Sequence, residues 1–326
     1  MKAWIHHKTG PVSLLTQADI EKPKPGPGEL LIRNWAIGLN PVDWKIIEWG
    51  HPDWTWPHVP GVDGAGEVAA VGPGCGHLIP GMRVAYHQDL LRDGSFAEFT
   101  VIPAHAAIPL PEGLSFEAAA ALPCPALTAV QALEKVNLPP GSRVLVTGAS
   151  GAVGGALIQL ARPRGWAIHA IASVDSHARV RALGAATARD YKRAGWIDDL
   201  ADLAAASPFR AVFDMVSGAH AQTLARLIGV NGHLVCIQDR QEKPPFAPFT
   251  TNLSLHEVGL NAMHRNAHDR LAWGALTKAG AEIAKATLEG SFDPQLIEVS
   301  RFDDLPGALQ RLRDGPNPGN RVVSLS

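Results

Sequence analysis

Cysteine is scarce. Cys75, Cys124 and Cys236 are the three in 326 residues, an odd number, widely spaced and without a CxxC pair. That excludes a disulfide framework and a four-cysteine zinc lobe, and leaves three reduced thiols with structural roles. No apolar run approaches the ~18 residues that a membrane-spanning helix requires. Neither sign of charge is in excess, because 29 basic residues face 31 acidic ones for a net charge of −2. Nucleic-acid binding therefore lacks its electrostatic driving force, and no nucleic acid or membrane partner is expected. The start, Met1 to His7, has neither an apolar h-region nor a cleavage site, so a secretory leader is not expected. Repeats and low-complexity tracts are also missing.

What is present is an ordinary globular balance, 46% hydrophobic and 18% charged. Such a chain buries enough apolar surface to offset its ordering entropy, and its length predicts two domains. A soluble, cytoplasmic protein is expected.

The first ~120 residues are rich in Gly and Pro. Short apolar stretches stand between turn signals: Leu30 to Arg33, Gly66 to Gly72, Met82 to Tyr86, and the alternating Phe96 to Val101. Many short strands of this kind predict a β-rich barrel. Near residue 115 the texture changes. Ser115 opens an Ala-rich stretch to Leu122, and Thr128 to Val136 reads as a helix. Strand-like Arg143 to Thr147, Ala167 to Ala172, Ala211 to Asp214 and His233 to Ile237 then follow, with helix-like Val153 to Ala161 and His177 to Leu183 between the first of them. This alternation predicts an α/β domain with a doubly wound parallel sheet. A longer helical stretch is expected from Asn261 to Glu289. Pro163 should end the helix after the first strand at Arg162, or kink it.

The run Gly148-Ala149-Ser150-Gly151-Ala152-Val153-Gly154 lies between the first strand of that domain and its helix. Glycines there let the backbone turn sharply and approach a pyrophosphate, which then faces the helix N-terminus. The spacing is GxxGxxG, and its context in a βαβ unit gives it weight. An NAD-preferring site would carry an acid at the end of the second strand. Here Ala172-Ser173 end it, and His177, Arg179 and Arg181 follow, groups able to meet a 2′-phosphate. NADPH is therefore the expected cofactor, with Asp175 as the competing ribose ligand if the strand ends a residue or two later.

These features, with their flanks, resemble the medium-chain dehydrogenase/reductase superfamily, and within it the zinc-free quinone oxidoreductase branch. The resemblance rests on Gly38 to Asp43, Val59 to Gly66, Asp93 to Phe99, Leu127 to Ala129, the glycine turn, Ala182 to Ala185, and Gly319 to Val323. It implies a GroES-like catalytic domain over residues 1–118 and 262–326 around a Rossmann domain over 119–261, assembled as a homodimer or homotetramer. Zinc members carry a Cys, a Gly-His-Glu and a second Cys. The corresponding places here hold Asn40 with Asp43, Val62-Asp63, and Cys124. One thiolate cannot hold a tetrahedral zinc, so no metal is expected.

The resemblance further implies hydride transfer from NADPH to a small-molecule quinone or α,β-unsaturated carbonyl. Asn40 would be a polar contact in the substrate cleft and Lys45 a cationic donor where relatives often have a tyrosine. Thr128 would contact the nicotinamide or its ribose. Gly148, Ser150, Gly151, Ala152, Val153 and Gly154 would hold the pyrophosphate. Ser173, His177, Arg179 and Tyr191 would lie at the 2′-phosphate, and Asn320 would touch cofactor. Two features carry no such warrant. Trp35, Trp44, Trp49, Trp54 and Trp56 crowd one loop region, as the lining of a flat pocket or as a satellite core. His87, beside Gln88, is a structural histidine or a proton donor. The other readings are a zinc-type alcohol dehydrogenase-like reductase and a non-catalytic NADPH-binding redox sensor. A short-chain dehydrogenase is disfavoured, because neither Tyr86 nor Tyr191 has a lysine four residues on.

Overall fold

The computed structural model describes residues 1–316 and 318–325. The chain divides into two units, Met1–Leu127 with Asn261–Ser326, and Thr128–Leu260.

The first unit opens with β1 (Lys2–Ile5), antiparallel to β2 (Thr16–Asp19). Then comes β3 (Glu29–Leu39), eleven residues with Leu30, Ile32, Ile37 and Leu39 buried. Asn40 caps α1 (Pro41–Trp49), whose proline at the first turn is preset for a helix start. The unit continues through β4 (Asp63–Val71), β5 (Arg83–His87), β6 (Phe99–Pro103) and β7 (Ile108–Pro109). Next is α2 (Phe116–Ala120), where the Ser115 side chain accepts from Ala118 N, followed by α3 (Pro123–Glu134). The unit boundary falls within α3, later than the expected residue 118, because α2 packs on β3 and β4 with Ala119 and Ala120 fully buried.

The second unit comprises β8 (Arg143–Val146), α4 (Ala152–Ala161), β9 (Ala167–Ile171), α5 (His177–Leu183), β10 (Thr187–Arg189), α6 (Trp196–Ala206), β11 (Phe209–Asp214), α7 (Gly218–Ala225), β12 (Ile228–Cys236) and β13 (Ser254–Glu257). All its strands pair in parallel, in the order β10-β9-β8-β11-β12-β13. This is the doubly wound arrangement in which strand order reverses beside the first strand, here between β8 and β11. Leu145, Leu200, Phe209, Val212, Leu224 and Leu234 fill one side of it. As Pro163 requires, α4 stops at Ala161 and the chain closes with a short 3-10 turn, Arg162–Arg164.

The chain then returns to the first unit with α8 (Ala262–Arg265), α9 (Arg270–Leu288), β14 (Leu296–Arg301), α10 (Leu305–Asp314) and β15 (Asn320–Ser324). The long helix expected from Asn261 is thus two helices. Asp269 caps α9, accepting from Ala272 N, and so restarts the helix. The sheet of this unit runs β14-β15-β3-β4-β5-β7, with β6 also on β3, and only β14–β15 is parallel. Ladder pairing of β6 begins at Phe99 rather than Phe96, since Ala97 is diverted into a single bridge with Ala3. The architecture is α/β, a β-rich unit and a Rossmann-type unit. No helix among the described residues is long and apolar enough to cross a membrane.

Candidate active site

In the first unit a polar cluster forms where β3, β4 and β5 end. Asp43, at the third position of α1, accepts from Asn40 N at 2.7 Å and from Val62 N at 3.1 Å. It is fully buried. Burial, reinforced by the neighbouring Asp63 charge, pushes it well above the usual carboxylate range against those two N–H bonds. Asp43 therefore holds the loop. Asp63, the first residue of β4, pairs in register with His87, the last of β5. Cross-strand neighbours on one face meet, and His87 Nδ1 donates to Asp63 Oδ1 at 2.8 Å. The other carboxylate oxygen accepts from Asn40 Nδ2 at 2.9 Å and from Cys124 N at 2.8 Å. Asp63 is sealed from solvent and has three donors.

Beyond His87 lies His264 of α8, with ring centroids 5.9 Å apart, and His264 tilts onto Trp273, whose far neighbour is His105. Burial, with His87 and His105 adding to it, lowers His264 to about 3, so its ring is neutral. Its Nε2 has no hydrogen-bond partner among the described residues.

Lys45, on α1, is half-buried with its ammonium 5.6 Å from the Trp44 ring, and burial lowers its pKa. Asn320 is buried on β15 and spends its amide on the Pro294 carbonyl at 2.7 Å. The tryptophans do not share a loop: Trp35 is on β3 and Trp44 and Trp49 are on α1. Trp35 stacks on Phe116, Trp54 stacks on His58 at 4.1 Å with Trp56 edge-on, and Trp49 is 71% exposed. They are separate packing contacts, and Trp54 with His58 is the satellite core.

In the second unit the glycine turn leaves β8 at the order reversal. Gly148 has φ +54°, and a Cβ on it would lie 2.9 Å from Met215 Cβ. A Cβ on Gly154 would stand 2.4 Å from the Gly148 carbonyl oxygen, so the helix start rests directly on the turn. Gly151 is the N-cap of α4 and gives no side-chain cap. Ala152, Val153 and Gly154 form the first turn of α4, with Ser150 half-buried before them. The turn fits a pyrophosphate.

Asp214, at the end of β11, was not singled out from the sequence. It accepts from Thr147 Oγ1, from His220 Nδ1 at 2.9 Å and from Ser217 N at 2.8 Å, tying together the two strands at the reversal. Burial pushes its pKa up, but these hydrogen bonds outweigh that and hold it below the usual value.

At the end of β9, Ser173 Oγ lies 3.5 Å from Ser176 Oγ, and His177 Nε2 donates to the Ala172 carbonyl at 3.1 Å. Asp175 is exposed in the intervening 3-10 turn, not at the strand end. Arg179 is half-buried on α5, and Tyr191 is 50% exposed after β10. Arg189, closing β10, is a further basic group there, and its buried Nε has no partner among the described residues. Thr128 is buried in the middle of α3 rather than at a helix start.

Two family descriptions match: "Alcohol dehydrogenase GroES-like domain" over residues 26–112 and "Zinc-binding dehydrogenase" over 183–323. The quinone oxidoreductase of Rattus norvegicus is 32% identical over 231 residues, 70% of this chain and 70% of that protein. A trans-enoyl reductase of Aspergillus terreus is 34% identical over 55% of this chain and 65% of its own length. A 2-methylene-furan-3-one reductase of Solanum lycopersicum is 32% identical over 76% and 64%. The chain spans 65% or less of the first three curated relatives it matches, and only 4% of one of them, a polyketide synthase component. Among solved structures, an NAD-dependent alcohol dehydrogenase superposes with a TM-score of 0.84 at 26% identity over the whole of both chains. An alcohol dehydrogenase superfamily protein from Novosphingobium aromaticivorans gives 0.88 at 24% identity, again over both whole chains, a likeness of fold.

Proposed function

The chain belongs to the medium-chain dehydrogenase/reductase superfamily; from that premise we propose that it is an oxidoreductase, an NADPH-dependent, metal-independent reductase of quinones or α,β-unsaturated carbonyls. It works as a cytoplasmic homodimer or homotetramer. One observation carries the reading: the glycine turn opens α4 at the order reversal of a parallel sheet whose second strand, β9, ends at Ile171 and is followed by Ala172-Ser173, without an acid. Bound nicotinamide would supply the hydride. Gly148, Ser150, Gly151, Ala152, Val153 and Gly154 hold the pyrophosphate, Ser173, His177, Arg179 and Tyr191 the 2′-phosphate side, and Thr128 and Asn320 further cofactor contacts. Asn40 and Lys45 provide polarity for the carbonyl. The acceptor class is supported by the relatives named for quinone, enoyl and 2-methylene-furan-3-one reduction.

The family description raises zinc, and the residues can be tested against it. Asp63, His87 and Cys124 bring an oxygen, a nitrogen and a sulfur within 4.8 Å of one another. A zinc ligand set must point its lone pairs at one centre. Here Asp63 Oδ1 and His87 Nδ1 point at each other, while Asp63 Oδ2 accepts two N–H groups. The trio does not fit a resident zinc.

The test is NADPH oxidation by chelator-treated enzyme against a panel of quinones and enones, with NADH in parallel. Turnover that prefers NADPH and survives the chelator is expected. Loss of turnover on metal removal, restored by zinc, would overturn metal independence. Equal or better use of NADH would overturn the cofactor assignment, and NADPH binding without turnover would point to a sensor.

A further inference from the structure

His87 is held in a way that packing alone does not require. Its Nδ1 is clamped by Asp63, and Asp63 is itself fixed by the Asn40 side chain and the Cys124 backbone. A carboxylate on Nδ1–H sets the orientation and tautomer of an imidazole and leaves Nε2 for proton exchange. Among the described residues the ring is hydrogen-bonded through Nδ1 to Asp63, and 6% of the side chain stays exposed. The groups facing it are Asp63 from β4, Cys124 from α3 and His264 from α8. His105 and Arg92 act on His264, and Asp43 lies behind Asp63. Burial keeps His264 and His105 neutral, so neither competes as an acid.

We propose that His87, oriented by Asp63, is the proton donor of the reduction, passing its Nε2 proton to the carbonyl oxygen of a conjugated acceptor. The inference rests on the reductase reading above. Bound nicotinamide would supply a hydride, two electrons and one hydrogen, to the far end of the conjugated system, and the displaced π pair would then come to the carbonyl oxygen. An O–H bond forms there as the Nε2–H bond breaks, and a proton taken up from solvent returns to Nε2. Asp63 is a positioning residue in this scheme, and its three donors keep the carboxylate in place through the cycle.

The experiment compares wild type, His87→Ala, His87→Gln and Asp63→Asn as full chains. The readouts are kcat and KM for a quinone and an enone, NADPH binding by fluorescence, rescue by added imidazole, and the ¹⁵N signals of the His87 ring. Loss of a general acid typically costs about 100-fold or more. His87→Ala should therefore lose about 100-fold in kcat, with KM changed less than about twofold and NADPH binding unchanged. Imidazole should recover about tenfold of that loss. Asp63→Asn should shift the His87 ¹⁵N pattern away from the Nδ1–H form, a signature that needs no turnover. His87→Gln retains an amide for Asp63 and serves if the alanine variant fails to fold. Either variant within about threefold of wild type would overturn the proposal, as would a loss without imidazole rescue or an unmoved ¹⁵N pattern. One zinc per chain, lost in Cys124→Ala, would also overturn it. Wild type inert on every acceptor removes the reductase reading and this inference together, whereas active wild type with indifferent His87 variants removes the inference alone.

Discussion

Gly154→Ala should both loosen the second unit and weaken its grip on NADPH. The added methyl would stand 2.4 Å from the Gly148 carbonyl oxygen and 2.8 Å from Ala149 Cα, where ordinary contact begins at 3.4 Å. Both obstacles are backbone atoms of the turn, so no rotamer change relieves them, and the helix start must move by about 1 Å. Overpacking of this kind costs about 1–3 kcal/mol, while alanine's better helix propensity returns about 1 kcal/mol. The net loss is up to about 2 kcal/mol, a fall in Tm of up to about 8 °C for a unit of this size. The displaced turn should raise the NADPH Kd about tenfold, the equivalent of 1.4 kcal/mol. Gly274, inside α9, is the control, because a Cβ there meets nothing within 4 Å. Gly274→Ala should stabilise by about 0.5–1 kcal/mol and leave NADPH binding untouched. Thermal melts and fluorescence titration of both variants decide the matter. A Gly154→Ala protein that melts at or above wild type and binds NADPH normally would refute the close-approach argument.

Three further outcomes are expected. Ser173→Asp places an acid two residues past β9, where it binds ribose hydroxyls and repels a 2′-phosphate; the NADPH-to-NADH ratio of kcat/KM should fall more than about tenfold, and an unchanged ratio would place the 2′-phosphate elsewhere. Asp214→Asn should cost about 2–4 kcal/mol at pH 7 by unpairing the strands' shared acceptor. Because the folded pKa lies below 3.8, the wild-type carboxylate contributes stability above that pH and loses it as pH falls through the folded value. The Tm gap between the two proteins should narrow below pH 3.8, and a constant gap down to pH 3 would contradict the assignment. Tyr86 is fully buried and donates to Asn34 Oδ1 at 2.7 Å. Tyr86→Phe strands that acceptor and should cost about 1–3 kcal/mol in denaturant unfolding.

The parallel-sheet unit was legible because its signals are local. Arg143 to Thr147 followed by the glycine turn is a strand, a sharp turn and a helix start within a dozen residues, and each step has its own chemistry. Pro163 fixed the end of α4 for the same reason. Elements that depend on distant partners were harder to see. The first turn of α1 follows an Asn-Pro pair, but tryptophans at 44 and 49 read as part of a loop until the Asp43 capping bond is known. The break before α9 turns on Asp269 accepting from Ala272 N, a contact of three residues hidden in an otherwise helical stretch. β6 starts at Phe99 rather than Phe96 because β1, nearly a hundred residues earlier, claims Ala97.

The active-site chemistry shows the same division more sharply. The glycine turn is seven consecutive residues, so its shape, and with it the pyrophosphate role proposed for it, could be read from their order. His87 and Asp63 are 24 residues apart, and they meet only because β4 and β5 pair antiparallel in one particular register. A slip of one residue would turn His87 to the other face of the sheet. The sequence did contain half of the argument, since Asn40 stands where zinc-dependent members of the superfamily have a thiolate. An amide at that place points an N–H at Asp63 instead of a lone pair at a metal. With a second N–H from Cys124 and a third from His87, the buried carboxylate is stabilised by donors rather than by a cation. The amide at position 40 thus helps to hold the carboxylate–imidazole pair, and under the metal-independent carbonyl reduction proposed above a proton donor is what the oxygen would need in place of a Lewis acid.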